Sequence, residues 1–176
     1  MLERRRKFLG CGAAAIGCLL LPCSVAAGAA DPLPKPQGEI VLTISGAIGI
    51  TNSAEGAVFD RAMLEDLPSR QFVTETPWTK GLHTFTGVPL KVLMARVAAY
   101  GRMITATALN EYTAEIPVED GERLELMVAY LLDGQPMEAS DRGPLWTVYP
   151  FSNRPETRTE TYYMRSVWTL ETLAVH

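Results

Sequence analysis

Beyond residue 23 this sequence has no cysteine: Cys11, Cys18 and Cys23 are the only three thiols in 176 residues. From there on it can hold no disulfide, no thiolate-ligated metal, no cysteine-bound iron–sulfur cluster and no cysteine nucleophile. Histidine is nearly as scarce, with His83 and His176 alone and no close His/Asp/Glu spacing of the kind a zinc site uses. GxGxxG, GxxxxGK and GxSxG signatures are absent, so dinucleotide, P-loop and esterase-type serine chemistry have no support. No haem-attachment motif, internal repeat or low-complexity segment occurs beyond a short proline-rich stretch.

What is present first is a leader. Arg4, Arg5, Arg6 and Lys7 form a basic start, Phe8 to Leu21 is an apolar run, and Ala27-Gly28-Ala29 has the small-residue pattern of a cleavage site. The run is shorter than the ~20 apolar residues that cross a bilayer, so residues 1–29 are expected to be a removed signal peptide and no stable membrane span is expected after cleavage. Arg5-Arg6-Lys7-Phe8-Leu9 resembles a twin-arginine signal, which exports proteins already folded. Lipidation at Cys18 or Cys23 is the minor alternative. A periplasmic or otherwise exported location is expected.

Charge excludes another class of partner. After the leader, 12 basic stand against 19 acidic residues, a net charge of −7 with histidine neutral. Such a surface repels nucleic acid, and in an exported protein it serves solubility. The chain is 47% hydrophobic and 20% charged, a composition that folds. Residues 30–176 suffice for one domain burying roughly 70% of the surface its unfolded chain exposes.

Along the chain, residues 30–38 read as a proline-rich extended lead-in, because PLPKP forms neither helix nor central strand. Glu39 to Ile50 alternates at Ile40, Leu42 and Ile44 like a half-buried strand. Asp60 is placed to cap a short helix carrying Met63, Leu64 and Leu67. Gln71 to Thr76 reads as a strand, followed by a turn at Pro77 and Lys80-Gly81 and a short strand through His83 and Phe85. Leu90, Leu93, Met94 and Val97 fall on one helical face after Pro89, with Gly101 as a C-terminal cap. Met103–Leu109, Tyr112–Val118, Leu124–Leu132, Leu145–Tyr149 and Val167–Val175 are strand-like. Asp133-Gly134 signals a hairpin, and Phe151–Arg165 reads as a polar loop. Many short strands with two short helices indicate an α+β fold, mainly β, with mixed sheets.

Four motifs in order, FTGVPLKVLM, AYLLDGQPM, DRGPLWTVYP and MRSVWTLETLAV, resemble the molybdopterin-binding domain of the sulfite oxidase family over Gly38 to Val175. TPWT, HTF, ATALN and GPLWTVYP narrow the resemblance to small exported single-domain oxidoreductase-like members. Residues 39–176 would then be one molybdopterin-binding-like domain of sulfite oxidase type. The resemblance implies a molybdopterin cofactor, and it implies two departures. Thr74, counted from Trp78, stands where such proteins carry the cysteine that ligates molybdenum, and a hydroxyl is a poorer donor than a soft thiolate. Trp168, in Ser166-Val167-Trp168-Thr169-Leu170, stands where they carry a lysine available to the pterin phosphate. Any molybdenum is therefore expected without a protein cysteine ligand, and no metal-ligating residue is assigned.

The cofactor-binding candidates are Thr74, Trp78, His83, Asn110, Tyr112, Arg142, Arg165 and Ser166. Trp78, together with Trp146 and Tyr149, can wall a flat heterocycle. His83 can carry a proton near neutral pH. Asn110 and Tyr112 flank a strand junction, and Arg142 and Arg165 offer charge to an anionic group. Glu75, Glu111 and Asp141 are acid or base candidates with nothing to make two converge. Two functions follow: an exported two-electron oxidoreductase handing electrons to a separate protein, or a cofactor-free module that captures a small molecule or reports it to a sensor protein.

Overall fold

The structure is a computed structural model and describes residues 31–176. The leader expected at residues 1–29 lies outside the described residues. Among the described residues, ten strands form two sheets. The first has the order β2 (Ala57–Asp60), β1 (Ile40–Gly46), β10 (Leu170–Val175), β5 (Met103–Ala108), β6 (Thr113–Pro117), with β1 parallel to β10 and the other pairs antiparallel. The second runs β3 (Arg70–Thr74), β4 (His83–Pro89), β7 (Met127–Leu132), β8 (Gln135–Pro136), with β9 (Trp146–Val148) also on β7. The mixed sheets agree with the α+β expectation.

Period-two patterning fixes which faces meet. Leu42 and Ile44 of β1, Ile104 and Ala106 of β5, and Leu173 and Val175 of β10 point into one large core. Ile40, expected inside, is 49% exposed at the start of β1, next to the bulge between Ile40 and Leu42. β7 is buried on both faces: Val128 and Tyr130 enter the large core, whereas Met127 and Ala129 enter a second with Phe85, Trp146 and Val148. That two-sided burial is why its sequence is a continuous apolar run.

Helices are short. Asp60 caps α1 (Arg61–Glu65) by accepting from the Met63 amide at 2.8 Å. α2 (Leu90–Arg96) starts after Pro89 and buries Leu90, Leu93 and Met94. It ends at Arg96, with Ala98 in the left-handed region, rather than running to Gly101. Gly101 has a different task, since a methyl there would lie 2.6 Å from the His176 carbonyl oxygen. Gly87 of the FTGVPL motif sits at a bulge where β4 closes on β7, and a methyl would lie 2.1 Å from the Val128 carbonyl oxygen. α3 (Asp120–Arg123) and α4 (Glu160–Met164) were not legible as helices; α4 falls in the stretch read as a loop. Five residues are too few for a helical period.

Residues 31–38 have no regular structure, yet they are held against the domain. Leu33 is buried in the large core, Asp60 accepts from the Gln37 and Gly38 amides, and Arg96 donates to the Asp31 and Pro32 carbonyls. The lead-in is thus extended but tied down rather than a free tether.

Candidate functional site

A cleft of about 270 Å³ opens where the β3–β4 loop, the β5–β6 turn, α4 and the Ser166–Trp168 segment meet. Its lining includes Trp78, Asn110, Tyr112 and Ser166, four of the eight residues singled out from sequence, with Ala108, Tyr163, Met164, Val167 and Trp168. None of these carries a formal charge.

Trp78 is placed by its loop. Its amide donates to Thr76 Oγ1 at 3.3 Å, the Thr76 and Thr79 hydroxyls are 2.9 Å apart, and Arg142 Nη2 donates to its carbonyl at 3.0 Å. The indole meets Trp168 edge to face at 5.2 Å between centroids, Trp146 at 5.8 Å and Tyr163 at 6.0 Å. Trp146 is fully buried behind them, and a backbone bridge ties it to Trp168. Its Nε1 is a buried donor with no hydrogen-bond partner and is shut off from solvent, so it does not reach the cleft.

The opposite wall is a turn built on Asn110. Its Oδ1 accepts from the Tyr112 amide at 3.2 Å, and Glu111 between them takes positive φ. Asn110 is a lining residue, and its amide N–H groups have no hydrogen-bond partner among the described residues. Tyr112 donates its hydroxyl to the Met164 carbonyl at 2.9 Å, and Ser166 Oγ donates to the Tyr162 carbonyl at 2.9 Å. Both hydroxyl protons are spent on positioning α4.

The other four candidates lie elsewhere. Thr74 is wholly buried; its Oγ1 accepts from the Ser152 amide at 2.9 Å, while Ser152 Oγ accepts from the Glu75 amide at 3.0 Å. This reciprocal clasp ties the end of β3 to the segment after β9. His83 places Nδ1 2.7 Å from Asp133 Oδ2 and Nε2 3.0 Å from the Lys80 carbonyl oxygen. The Asp133 hydrogen bond, more than the Lys80 contact, raises the His83 pKa. Arg142 stands behind Trp78, paired with Asp141 at 2.7 Å. Arg165 donates from Nη1 to Asp120 Oδ2 at 3.2 Å and from Nε to the Glu115 carbonyl at 3.0 Å. Asp120 also accepts from the Tyr149 hydroxyl at 2.6 Å. Burial first, then Asp120, drives the Tyr149 phenol far above its ordinary range.

The acid and base candidates do not converge. Asp141 is occupied by Arg142, and among the described residues no three His, Cys, Asp or Glu side chains form a metal-holding group. Sequence reasoning missed Tyr163 and Met164 as cleft residues, because they sit on a helix read as loop, and it noted Trp168 only for the lysine it replaces.

With two sheets and this cleft in place, the class is that of a molybdopterin-binding oxidoreductase domain. Residues 59–152, more than half of the chain, match the oxidoreductase molybdopterin binding domain family, and the chain belongs to it. Among solved structures, the sulfane dehydrogenase SoxCD of Paracoccus pantotrophus is similar in fold, with a TM-score of 0.58 at 19% identity. The similarity covers 77% of this chain and 37% of that one, so this protein spans well under half the length of its structural neighbour. No curated protein matches the chain.

Family membership implies a molybdenum cofactor, and the lining of this cleft does not fit one. A phosphorylated pterin needs cations and the metal needs a soft donor. The cleft lining is uncharged, Trp168 stands where the resemblance implies a lysine, Arg165 is paired with Asp120, and Thr74 is sealed into a clasp with Ser152. Among the described residues there is no cysteine.

Proposed function

We propose that this protein is an exported binding module on the molybdopterin-oxidoreductase fold, one that captures a small molecule without the metal cofactor. The observation that carries the reading is Trp168, an indole packed against Trp78 and Trp146 where the resemblance calls for a phosphate-binding lysine. A cleft lined by the Trp78 and Trp168 indoles, with Trp146 packed behind them, favours a ligand bound by shape and stacking rather than by charge. The leader read at residues 1–29 supports a periplasmic setting, where such a module can report its ligand to a sensor protein.

A second reading is supported by the family match and by the twin-arginine-like leader, since that route carries proteins that acquire cofactors before export. In it the chain is a molybdopterin-dependent oxidoreductase in which oxygen or hydroxide takes the place of the protein thiolate, and a separate protein receives the electrons. The two readings differ in thermal stability measured after native export from cells that make molybdopterin and from cells that cannot. A tightly held cofactor binds only the folded state and raises its stability. Identical Tm values are expected; a Tm several degrees higher from the cofactor-producing cells would overturn the binding-module reading in favour of the second.

A further inference from the structure

If the cleft is a cofactor-free binding site, its ligand class can be read from the lining. We infer that it takes a neutral, planar molecule of one or two fused rings that presents a hydrogen-bond acceptor to the side-chain amide of Asn110.

Size sets the first limit. About 270 Å³ is at the lower edge of small-molecule sites. A longer ligand would run out into water past Met164, which is 56% exposed at the rim. Ala108, at the end of β5, contributes only a methyl group to the lining.

Charge sets the second. An ionised group leaving water needs a partner of opposite sign, and none of the lining residues supplies one. Arg142 is turned to the Trp78 carbonyl and Asp141, and Arg165 to Asp120 and the Glu115 carbonyl. An anion is therefore disfavoured outright, and a cation, offered ring faces but no carboxylate, gains only cation–π contact.

Shape sets the third. Trp78, Trp168 and Tyr163 meet edge to face, with interplanar angles of 79° and 81° about Trp78, so their flat surfaces are not stacked on one another. A planar guest can pack against them, and the Met164 thioether is a soft contact for a ring edge. Polar recognition is then left to Asn110. Its Oδ1 is engaged by the Tyr112 amide while its N–H groups are free to donate, and the nearby Tyr112 and Ser166 hydroxyl protons are already given to carbonyls.

The test uses protein exported natively and shown by metal and pterin analysis to be cofactor-free. Two nearly isosteric probes, neutral 2-acetylnaphthalene and anionic 2-naphthoate, are titrated by calorimetry and by quenching of tryptophan fluorescence. The ketone is expected to bind about tenfold or more tightly than the carboxylate, because only the latter must bury an unpaired charge. Asn110→Asp keeps the oxygen that holds the turn but replaces the donor with an acceptor, and should weaken the ketone about tenfold. Met164→Lys alters an exposed residue, so the fold should persist, and the added cation should shrink the preference for the ketone severalfold. Equal or tighter binding of 2-naphthoate, no uptake of the ketone up to its solubility, or affinities untouched by both substitutions would each overturn this assignment. Molybdenum and pterin in the purified protein would instead overturn the cofactor-free reading on which it rests, so the two failures are told apart.

Discussion

Arg165 decides between two accounts of the C-terminal motif, because the resemblance offered it as a cation for a phosphate whereas the structure gives it to the fold. Its Nη1 lies 3.2 Å from Asp120, a carboxylate whose side chain is only 6% exposed, and its Nε holds the Glu115 carbonyl. Removing one partner of a buried ion pair costs ~3–5 kcal/mol through the charge left behind. Tyr149 still donates to Asp120 at 2.6 Å after the arginine is gone, which places Arg165→Ala at the lower end, about 3 kcal/mol. For a domain of this size that is a fall in Tm of roughly 6–12 °C. Urea unfolding should show the loss as a lower midpoint at unchanged slope. Tyr149→Phe alone should cost about 1–2 kcal/mol. The double variant should depart from additivity, since both side chains serve the same carboxylate. A loss below about 1 kcal/mol for Arg165→Ala would refute the structural role and return the arginine to a ligand.

Three other substitutions follow from the geometry. Gly87→Ala forces a methyl to within 2.1 Å of the Val128 carbonyl oxygen, so β4 and β7 must separate; a loss of at least ~2 kcal/mol in chemical unfolding is expected, and a neutral result would show that the bulge relaxes freely. Thr74→Cys supplies a thiol at the position the resemblance assigned to molybdenum, but the site is wholly buried, so thiol reagents should label it only after unfolding; rapid native labelling would show that the end of β3 opens to solvent. The His83–Asp133 pair should give a mild pH dependence. The His83 pKa is raised by Asp133, so its contribution is full below the unfolded value near 6.5 and fades as pH rises through the folded one. The Asp133 pKa is lowered, by the Thr84 amide first and His83 second, so its contribution fades as pH falls below about 4. Compared with His83→Gln, the protein should gain about 0.5 kcal/mol between those limits and lose that gain in alkali; a gap constant with pH would remove the ion pair from the account.

Elements with long-range period or strong local chemistry were legible from sequence. Alternation found β1, β5 and β6, Asp60 announced α1, Pro89 opened α2, and Asp133-Gly134 turned β7 into β8, with positive φ at both turn residues. Burial on both faces of β7 removed alternation but left an apolar run that still read as a strand. Where tertiary packing decided, sequence signals were weak. Gly101 looked like a helix cap and instead makes room for the chain end, and α4 was too short to show a period. At the site, Trp78, Asn110, Tyr112 and Ser166, singled out separately from sequence, line one cleft because turn and strand-end positions meet there. Thr74, His83 and Arg165 were separated from them by hydrogen bonds that no spacing reveals: a hydroxyl clasped to Ser152, an imidazole on a hairpin aspartate and a guanidinium on a buried one.

The measurement that bears most directly on the central claim is native mass spectrometry, with parallel molybdenum analysis, of the protein exported by a cell that makes molybdopterin. The account predicts the mass of the bare mature polypeptide and molybdenum far below one atom per chain. A species heavier by one pterin cofactor, with stoichiometric molybdenum, would contradict it and show that an uncharged, indole-lined cleft can hold the cofactor of its family.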